Sequence, residues 1–203
     1  MKQPELIVAT RNSYKTDEIR DILGPGFAVR DVSDLRGVPE IAETGSTFVE
    51  NAILKAMGVS QWVEGIVLAD DSGLEVDALG GAPGVYSARY AGEPSDDRRN
   101  IEKLLQQLQR VDPQKLQREG RFRCALAIAR DGNVLKTFID AVEGTIIDSP
   151  RGSGGFGYDP IFVPNGFTQT FGELPPVIKN KLSHRGRALS QATSFLRAAL
   201  RAS

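Results

Sequence analysis

The chain has 203 residues, 40% of them hydrophobic and 25% charged, with a formal net charge of -1. That composition excludes a disordered polymer, and the missing basic excess argues against a protein that grips nucleic acid through its phosphates. Cys124 is the only cysteine, so an intrachain disulfide is excluded. No apolar run reaches the roughly 20 residues that span a bilayer, and the start "MKQPELIVAT" carries too short an apolar run for a signal peptide. The expectation is a soluble, cytoplasmic protein forming one domain over residues 1–203, with no repeat, low-complexity tract or linker.

In chain order, "LIVAT" reads as a buried strand, "RNS" as a turn and "YKTDEIRDIL" as a helix with Ile19, Ile22 and Leu23 at helical spacing. A second helix is expected from about Thr47 to Val63. Thr47 and Glu50 form a capping box. Val49, Ala52, Ile53, Ala56 and Met57 give it an apolar face, and Asn51 and Lys55 share a polar stripe. "GIVLA" is the next strand. It is expected to end at the adjacent pair Asp70 and Asp71, with Ser72 and Gly73 as turn formers.

A glycine-rich loop, "LGGAPGVYSARYAG", precedes an amphipathic helix opened by Ser95, with Ile101, Leu104, Leu105, Leu108 and Val111 on its apolar side. Alternation in "RFRCALAIAR" and the turn "DGN" predict a hairpin whose second strand starts at Val134. Cys124 lies on the apolar face of the first strand, a packed thiol rather than a nucleophile. After a second glycine-rich loop, "SPRGSGGFGYDP", the last helix begins near Ser183. Its buried stripe is Ala188, Leu189, Ala192, Phe195, Leu196, Ala199 and Leu200. Strand–helix units plus a hairpin predict an α/β fold, a mixed sheet flanked by helices.

Several stretches carry chemistry. "TRNSYK" joins a strand to a helix, where exposed N–H groups receive anions. With Asn12 or Ser13 as N-cap, Lys15 falls in the first turn, where a cation opposes the helix dipole unless an anion joins it. The P-loop pattern is absent. "GSGGFG" matches G-x-G-x-x-G in letters only, because it neither follows a strand nor opens a helix. It reads as a loop that admits a flat ligand, with Phe156 or Tyr158 offering a ring, or else as a turn with both aromatics packed inward. "KNKLSHRGRAL" gathers Lys179, Lys181, the lone His184 and Arg185 at a helix start, donors suited to ring carbonyls or phosphates. Glu43, Asp70 and Asp71 supply oxygen ligands of the kind Mg²⁺ takes alongside phosphates and water. No His/Cys spacing supports zinc, and no G-x-S-x-G supports a serine nucleophile. Together these point to Mg²⁺-dependent nucleotide chemistry. Adjacent strand residues face opposite ways, so one of the two aspartates can be aimed at a ligand, and the residues alone do not choose which.

The segments "ATRNSYK", "ETGSTFVENAILKA", "ADDSGLEVDALGGAPGVYSARYAG", "GGFGYDPIF" and "LSHRGRAL", from Ala9 to Leu189, resemble the inosine triphosphate pyrophosphatase family. The resemblance implies an elongated mixed sheet with two lobes and a central cleft, a homodimer, and Mg²⁺-dependent hydrolysis of ITP, dITP and XTP to the monophosphate and pyrophosphate. This would cleanse the nucleotide pool of deaminated purines. Matched by position, Thr10, Arg11, Asn12, Ser13, Tyr14 and Lys15 hold the triphosphate, with Lys15 screening its charge. Glu43 and Asp71 serve the metal, and Asp71 is the base. Ser72, Phe156, Gly157, Tyr158, Asp159, Lys179, His184 and Arg185 contact the nucleotide. Arg11 and Tyr14 stand where relatives often have glycine, and Val177 and Ile178 replace a usual acidic residue before Lys179. A pyrophosphatase for a modified pyrimidine nucleotide and a non-catalytic nucleotide sensor are the alternatives. Nucleic acid and membrane are not expected partners.

Overall fold

The computed structural model describes residues 3–201. It contains a six-stranded mixed sheet in the order β2-β1-β3-β4-β5-β6, with helices packed against it. By contact the chain divides into two compact units. The first takes the chain up to Asp71, Cys124–Asp140 and the chain from Arg185. The second takes Ser72–Arg123 and Ala141–His184.

In the first unit, β1 (Glu5–Val8) pairs in parallel with both β2 (Ala28–Asp31) and β3 (Ile66–Val76). Parallel neighbours need crossovers, supplied by α1 (Ser13–Leu23) and α2 (Phe48–Ser60). Asn12 is the N-cap of α1, its side chain accepting from Lys15 N at 3.3 Å. The capping box of α2 forms as expected between Thr47 and Glu50. This helix stops at Ser60 rather than Val63. The polar stripe of Asn51 and Lys55 faces inward, Asn51 being fully buried and the Lys55 side chain only 11% exposed.

Strand β3 overturns one expectation. It does not end at the aspartates but runs through them to Val76, for 11 residues that are almost all buried. Interior strands are buried on both faces, and these carboxylates are tolerated there because cations reach them inside the protein.

The hairpin is present as β4 (Glu119–Arg130) and β5 (Asn133–Ile146). Asp131 and Gly132 both have positive φ, 51° and 76°, as a two-residue turn requires. The last helix, α5 (His184–Arg201), buries Ala188, Leu189, Ala192 and Leu196 beside Leu6, Val8, Ile66, Leu126 and Ile128. Phe195, Ala199 and Leu200 pack at the margin of that core.

In the second unit, α3 (Asp97–Val111) opens at Asp97 with Asp96 as N-cap, not at Ser95, whose hydroxyl bonds the Ala88 carbonyl instead. Ile101, Leu104 and Leu108 are buried, whereas Val111 is exposed. They join Leu74, Val76, Phe122, Phe162 and Phe171 in a second core. Three short elements give no periodicity in the sequence: β2, β6 (Phe162–Pro164), which pairs antiparallel with β5, and α4 (Pro176–Leu182).

Candidate functional site

In the first unit the fold gathers four carboxylates and three cations from β3, α1, α2, α5 and the segment before α2. The two aspartates of β3 point into different surroundings. Asp70 is fully buried. Its Oδ1 lies 2.8 Å from Lys15 Nζ, and its Oδ2 accepts from Arg185 Nε at 2.9 Å and Cys124 Sγ at 3.1 Å. Arg185 Nη2 reaches Oδ1 at 3.3 Å, and Nη1 pairs with Glu18. Burial alone would push Asp70 up. The Arg185 guanidinium and Lys15 ammonium more than reverse this and hold the carboxyl well below the usual carboxylate range. Lys15 thus meets, inside the fold, the anion that a cation in the first turn of a helix needs.

Asp71 faces Lys55, whose Nζ lies 3.3 Å from Asp71 Oδ1 and 2.7 Å from Glu43 Oε1 and donates to the Asp70 carbonyl at 2.8 Å. Burial pushes the Asp71 carboxyl up, and the Lys55 and Lys15 ammonium groups pull it back only in part. Burial likewise disfavours charge on Lys55, but Asp71 and Glu43 outweigh it and raise its pKa, so the lysine stays protonated. Asp71 Oδ2 is buried without a hydrogen-bond partner, as is Asn51 Nδ2. Asn51 Oδ1 accepts from Gly45 N at 2.8 Å, fixing the segment that carries Glu43. A buried carboxylate oxygen with no donor is costly unless something else meets it.

Among the described residues, no group of three or more His, Cys, Asp and Glu side chains is arranged to hold a metal ion. The donor set is a pair of carboxylates, Glu43 and Asp71. That suits an ion such as Mg²⁺, which takes one or two carboxylates and completes its shell with phosphates and water.

The remaining phosphate-loop residues lie nearer the surface. Thr10 Oγ1 accepts from Asn12 N at 3.1 Å, and Arg11 Nη2 donates to the Val38 carbonyl at 2.9 Å. Arg11, Asn12, Ser13 and Tyr14 are exposed, leaving the N–H groups of the first turn of α1 within reach of solvent. Cys124 is confirmed as a core residue, its thiol pushed well up by burial and by Asp70.

In the second unit the glycine loop is held from several directions. Phe156 N donates to Asp159 Oδ2 at 2.8 Å, and the same oxygen lies 2.6 Å from Lys179 Nζ. Lys179 Nζ also sits 5.4 Å from the centre of the Phe156 ring. Gly157 N donates to Asp97 Oδ2 at 2.6 Å. Tyr158 is buried in the second core, with its hydroxyl donating to the Ser87 carbonyl at 3.0 Å, so it is packed inward and Phe156 is the ring left half-buried. His184 is buried and stacks on Phe122, with centroids 4.9 Å apart and planes 9° apart. Ser72, half-buried, follows Asp71 along β3. Lys179 keeps its buried place although Val177 and Ile178 beside it are exposed.

Arg185 is 1% exposed, and its guanidinium is engaged by Asp70 and Glu18. Sequence reasoning missed Glu18, Asp97 and Ser87. Only Glu18 left a trace, three residues after Lys15 and so on the same side of α1.

Residues 6–195 match the family model of the Ham1 family. A Bacillus licheniformis protein named dITP/XTP pyrophosphatase is 50% identical over 193 residues, covering 95% of this chain and 97% of the relative. The Bacillus subtilis protein of the same name is 50% identical over 195 residues, covering 96% and 98%. Among solved structures, a HAM1 protein from Coxiella burnetii superposes with a TM-score of 0.84 at 41% identity, covering 96% of this chain and 99% of that one. The Ham1 protein of Staphylococcus aureus gives 0.82 at 40% identity, covering 96% and 98%.

Proposed function

We propose, from the premise that this chain belongs to the Ham1 family, that it hydrolyses dITP, XTP and ITP to the monophosphate and pyrophosphate, clearing deaminated purines from the nucleotide pool. The observation that carries this reading is the Asp71–Lys55–Glu43 arrangement: a buried carboxylate with an unpartnered oxygen, pushed up by burial, beside a second carboxylate and a protonated lysine.

Asp71 is the base. It takes a proton from the water that attacks the α-phosphorus, while the bond from that phosphorus to the bridging oxygen breaks and pyrophosphate departs. A carboxylate raised by burial is a better proton acceptor than an exposed one. Lys55 and Lys15 pull against that rise and favour the ionised form that accepts a proton. Lys15 screens the triphosphate charge, and the Thr10–Lys15 stretch at the start of α1 receives phosphate oxygens. Mg²⁺ bound by Glu43 and Asp71 would supply charge neutralisation at the phosphate oxygens. Phe156, Gly157, Asp159, Lys179 and His184 take the purine, with Ser72 also at the nucleotide. A donor set matched to the O6 of hypoxanthine or xanthine leaves the N6 amino group of adenine unpaired or clashing, a difference that discriminates by roughly 10⁴ or more. Tyr158 supports this loop from beneath, and Arg185 acts within the fold. A homodimer resident in the cytoplasm completes the proposal.

The deciding assay measures pyrophosphate and monophosphate released from ITP, dITP, XTP, GTP, ATP, dTTP and UTP, with Mg²⁺ and with chelator. The three deaminated purines should give the highest kcat/KM, and chelator should abolish turnover. Asp71→Asn should lower kcat by about 10² or more. Better turnover of the pyrimidines would move the assignment to a different base, and binding of ITP without pyrophosphate release would make the protein a sensor.

A further inference from the structure

Four charged side chains of the first unit form a run of alternating sign that begins and ends on α1. Lys15 of α1 pairs with Asp70 of β3 at 2.8 Å. Asp70 accepts from Arg185 of α5 at 2.9 and 3.3 Å. Arg185 pairs with Glu18, which returns the run to α1 one turn after Lys15. The two interior members are essentially inaccessible, while the Lys15 and Glu18 side chains are each 14% exposed.

We infer that Glu18 is a positioning residue for Lys15, acting through Arg185 and Asp70. The reasoning is a competition for one carboxylate. Asp70 Oδ1 is shared by Lys15 Nζ and Arg185 Nη2. Arg185 is buried and remains charged at any working pH, so it requires carboxylate partners. Glu18 satisfies Nη1 and so holds the guanidinium where Nη2 stands 3.3 Å from Asp70 Oδ1 and Lys15 Nζ keeps the closer place, at 2.8 Å. Without the Glu18 charge, the guanidinium turns toward Asp70 and displaces Lys15. Lys15 gains nothing locally in exchange, because the positive end of α1 repels it. Glu18 therefore sets where the ammonium of Lys15 stands. The inference rests on the reading that Lys15 meets the triphosphate.

The test is a double-mutant cycle on the full chain with Glu18→Gln and Lys15→Met. It measures kcat and KM for pyrophosphate release from ITP with Mg²⁺, calorimetric affinity for inorganic tripolyphosphate, and Tm. Glu18→Gln should lower kcat/KM and weaken tripolyphosphate binding about tenfold when Lys15 is present, and less than twofold in the Lys15→Met background. Glu18→Asp keeps the charge and should stay within about threefold of wild type; if Glu18→Gln does not fold, the cycle is run with Glu18→Asp, whose smaller loss should again vanish in the Lys15→Met background. A loss of equal size in both backgrounds, with Tm falling alike, would mean that Glu18 only stabilises the fold and overturns the inference. So would unchanged kinetics and binding in Glu18→Gln. Absent pyrophosphate release by the wild-type protein would count against the functional reading instead, and the tripolyphosphate arm would still report whether Glu18 acts through Lys15.

Discussion

Asp70 and Asp71 are chemically identical and one position apart, yet their surroundings push them in opposite directions. Asp70 has no exposure, but Arg185 and Lys15 reach it from two elements and stabilise its charge beyond what burial removes. Asp71 meets one lysine already shared with Glu43, and burial prevails. Neighbouring carboxyls driven apart in this way are a recurrent sign of divided roles. A consequence for stability follows for Asp70. Its folded pKa lies below that of the unfolded chain, near 3.9, so its stabilising contribution is fully present above about pH 4–5. That contribution is lost as acid is added, because the unfolded chain takes up the proton first. Asp70→Asn should therefore cost about 3–5 kcal/mol at pH 7, since it removes a carboxylate charge that buried Arg185 and half-buried Lys15 share. It should also show a shallower fall in stability between about pH 4 and 2 than wild type does. Urea melts of both proteins across that range check the sign, and parallel curves would mean that Asp70 does not hold the depressed pKa.

At the level of elements, the long periodic segments were legible and the short or polar ones were not. Helices α1, α2 and α5 announce themselves through spacing and caps, and the hairpin through its Asp-Gly turn. Asp, Asp, Ser and Gly are turn formers by local propensity, so the sequence predicts that β3 ends at them, short of Val76. What overrides that propensity is tertiary, namely cations arriving from α1, α2 and α5, which no local window contains. Elements of three, four and seven residues, such as β6, β2 and α4, are too short for a period to show. The site was legible as residue types but not as contacts: the ion pairs of Arg185 with Asp70 and Glu18 join residues 115 and 167 positions apart, which no local pattern shows. The glycine loop yields a further prediction. Gly155 has φ +71°, and a Cβ there would overlap the Asp159 carboxylate and approach Lys179 Nζ to 3.0 Å. Asp159 is the group that receives Phe156 N and pairs with Lys179. Gly155→Ala should thus disturb the loop in two ways, through backbone strain of about 1–2 kcal/mol and by displacing that carboxylate. The expected result is a rise in KM for ITP of tenfold or more with kcat changed less than threefold, because the catalytic carboxylates lie on other elements. A fall in kcat at constant KM would place the loop in the chemical step instead.

For the molecule as a whole, connectivity is the governing feature. Neither compact unit is one continuous stretch of chain. The chain passes from one to the other at Asp71–Ser72, Arg123–Cys124, Asp140–Ala141 and His184–Arg185. Three of these passages fall inside strands, in β3, β4 and β5, where the backbone continues without a loop or a linker. Domains that melt independently are usually joined by exposed, flexible segments with few constraints across them, and nothing of that kind occurs at these positions. The expectation is one cooperative transition. Scanning calorimetry should give a calorimetric enthalpy of about 0.7 kcal/mol per residue near 60 °C, equal to the van't Hoff enthalpy. Two independently melting units would instead give a calorimetric enthalpy about twice the van't Hoff value. The same logic predicts that a fragment ending at Asp71 fails to fold by circular dichroism, because it lacks the β4 and α5 residues that complete its core. A folded, cooperatively melting fragment would show that the β1-α1-β2-α2-β3 segment is self-sufficient.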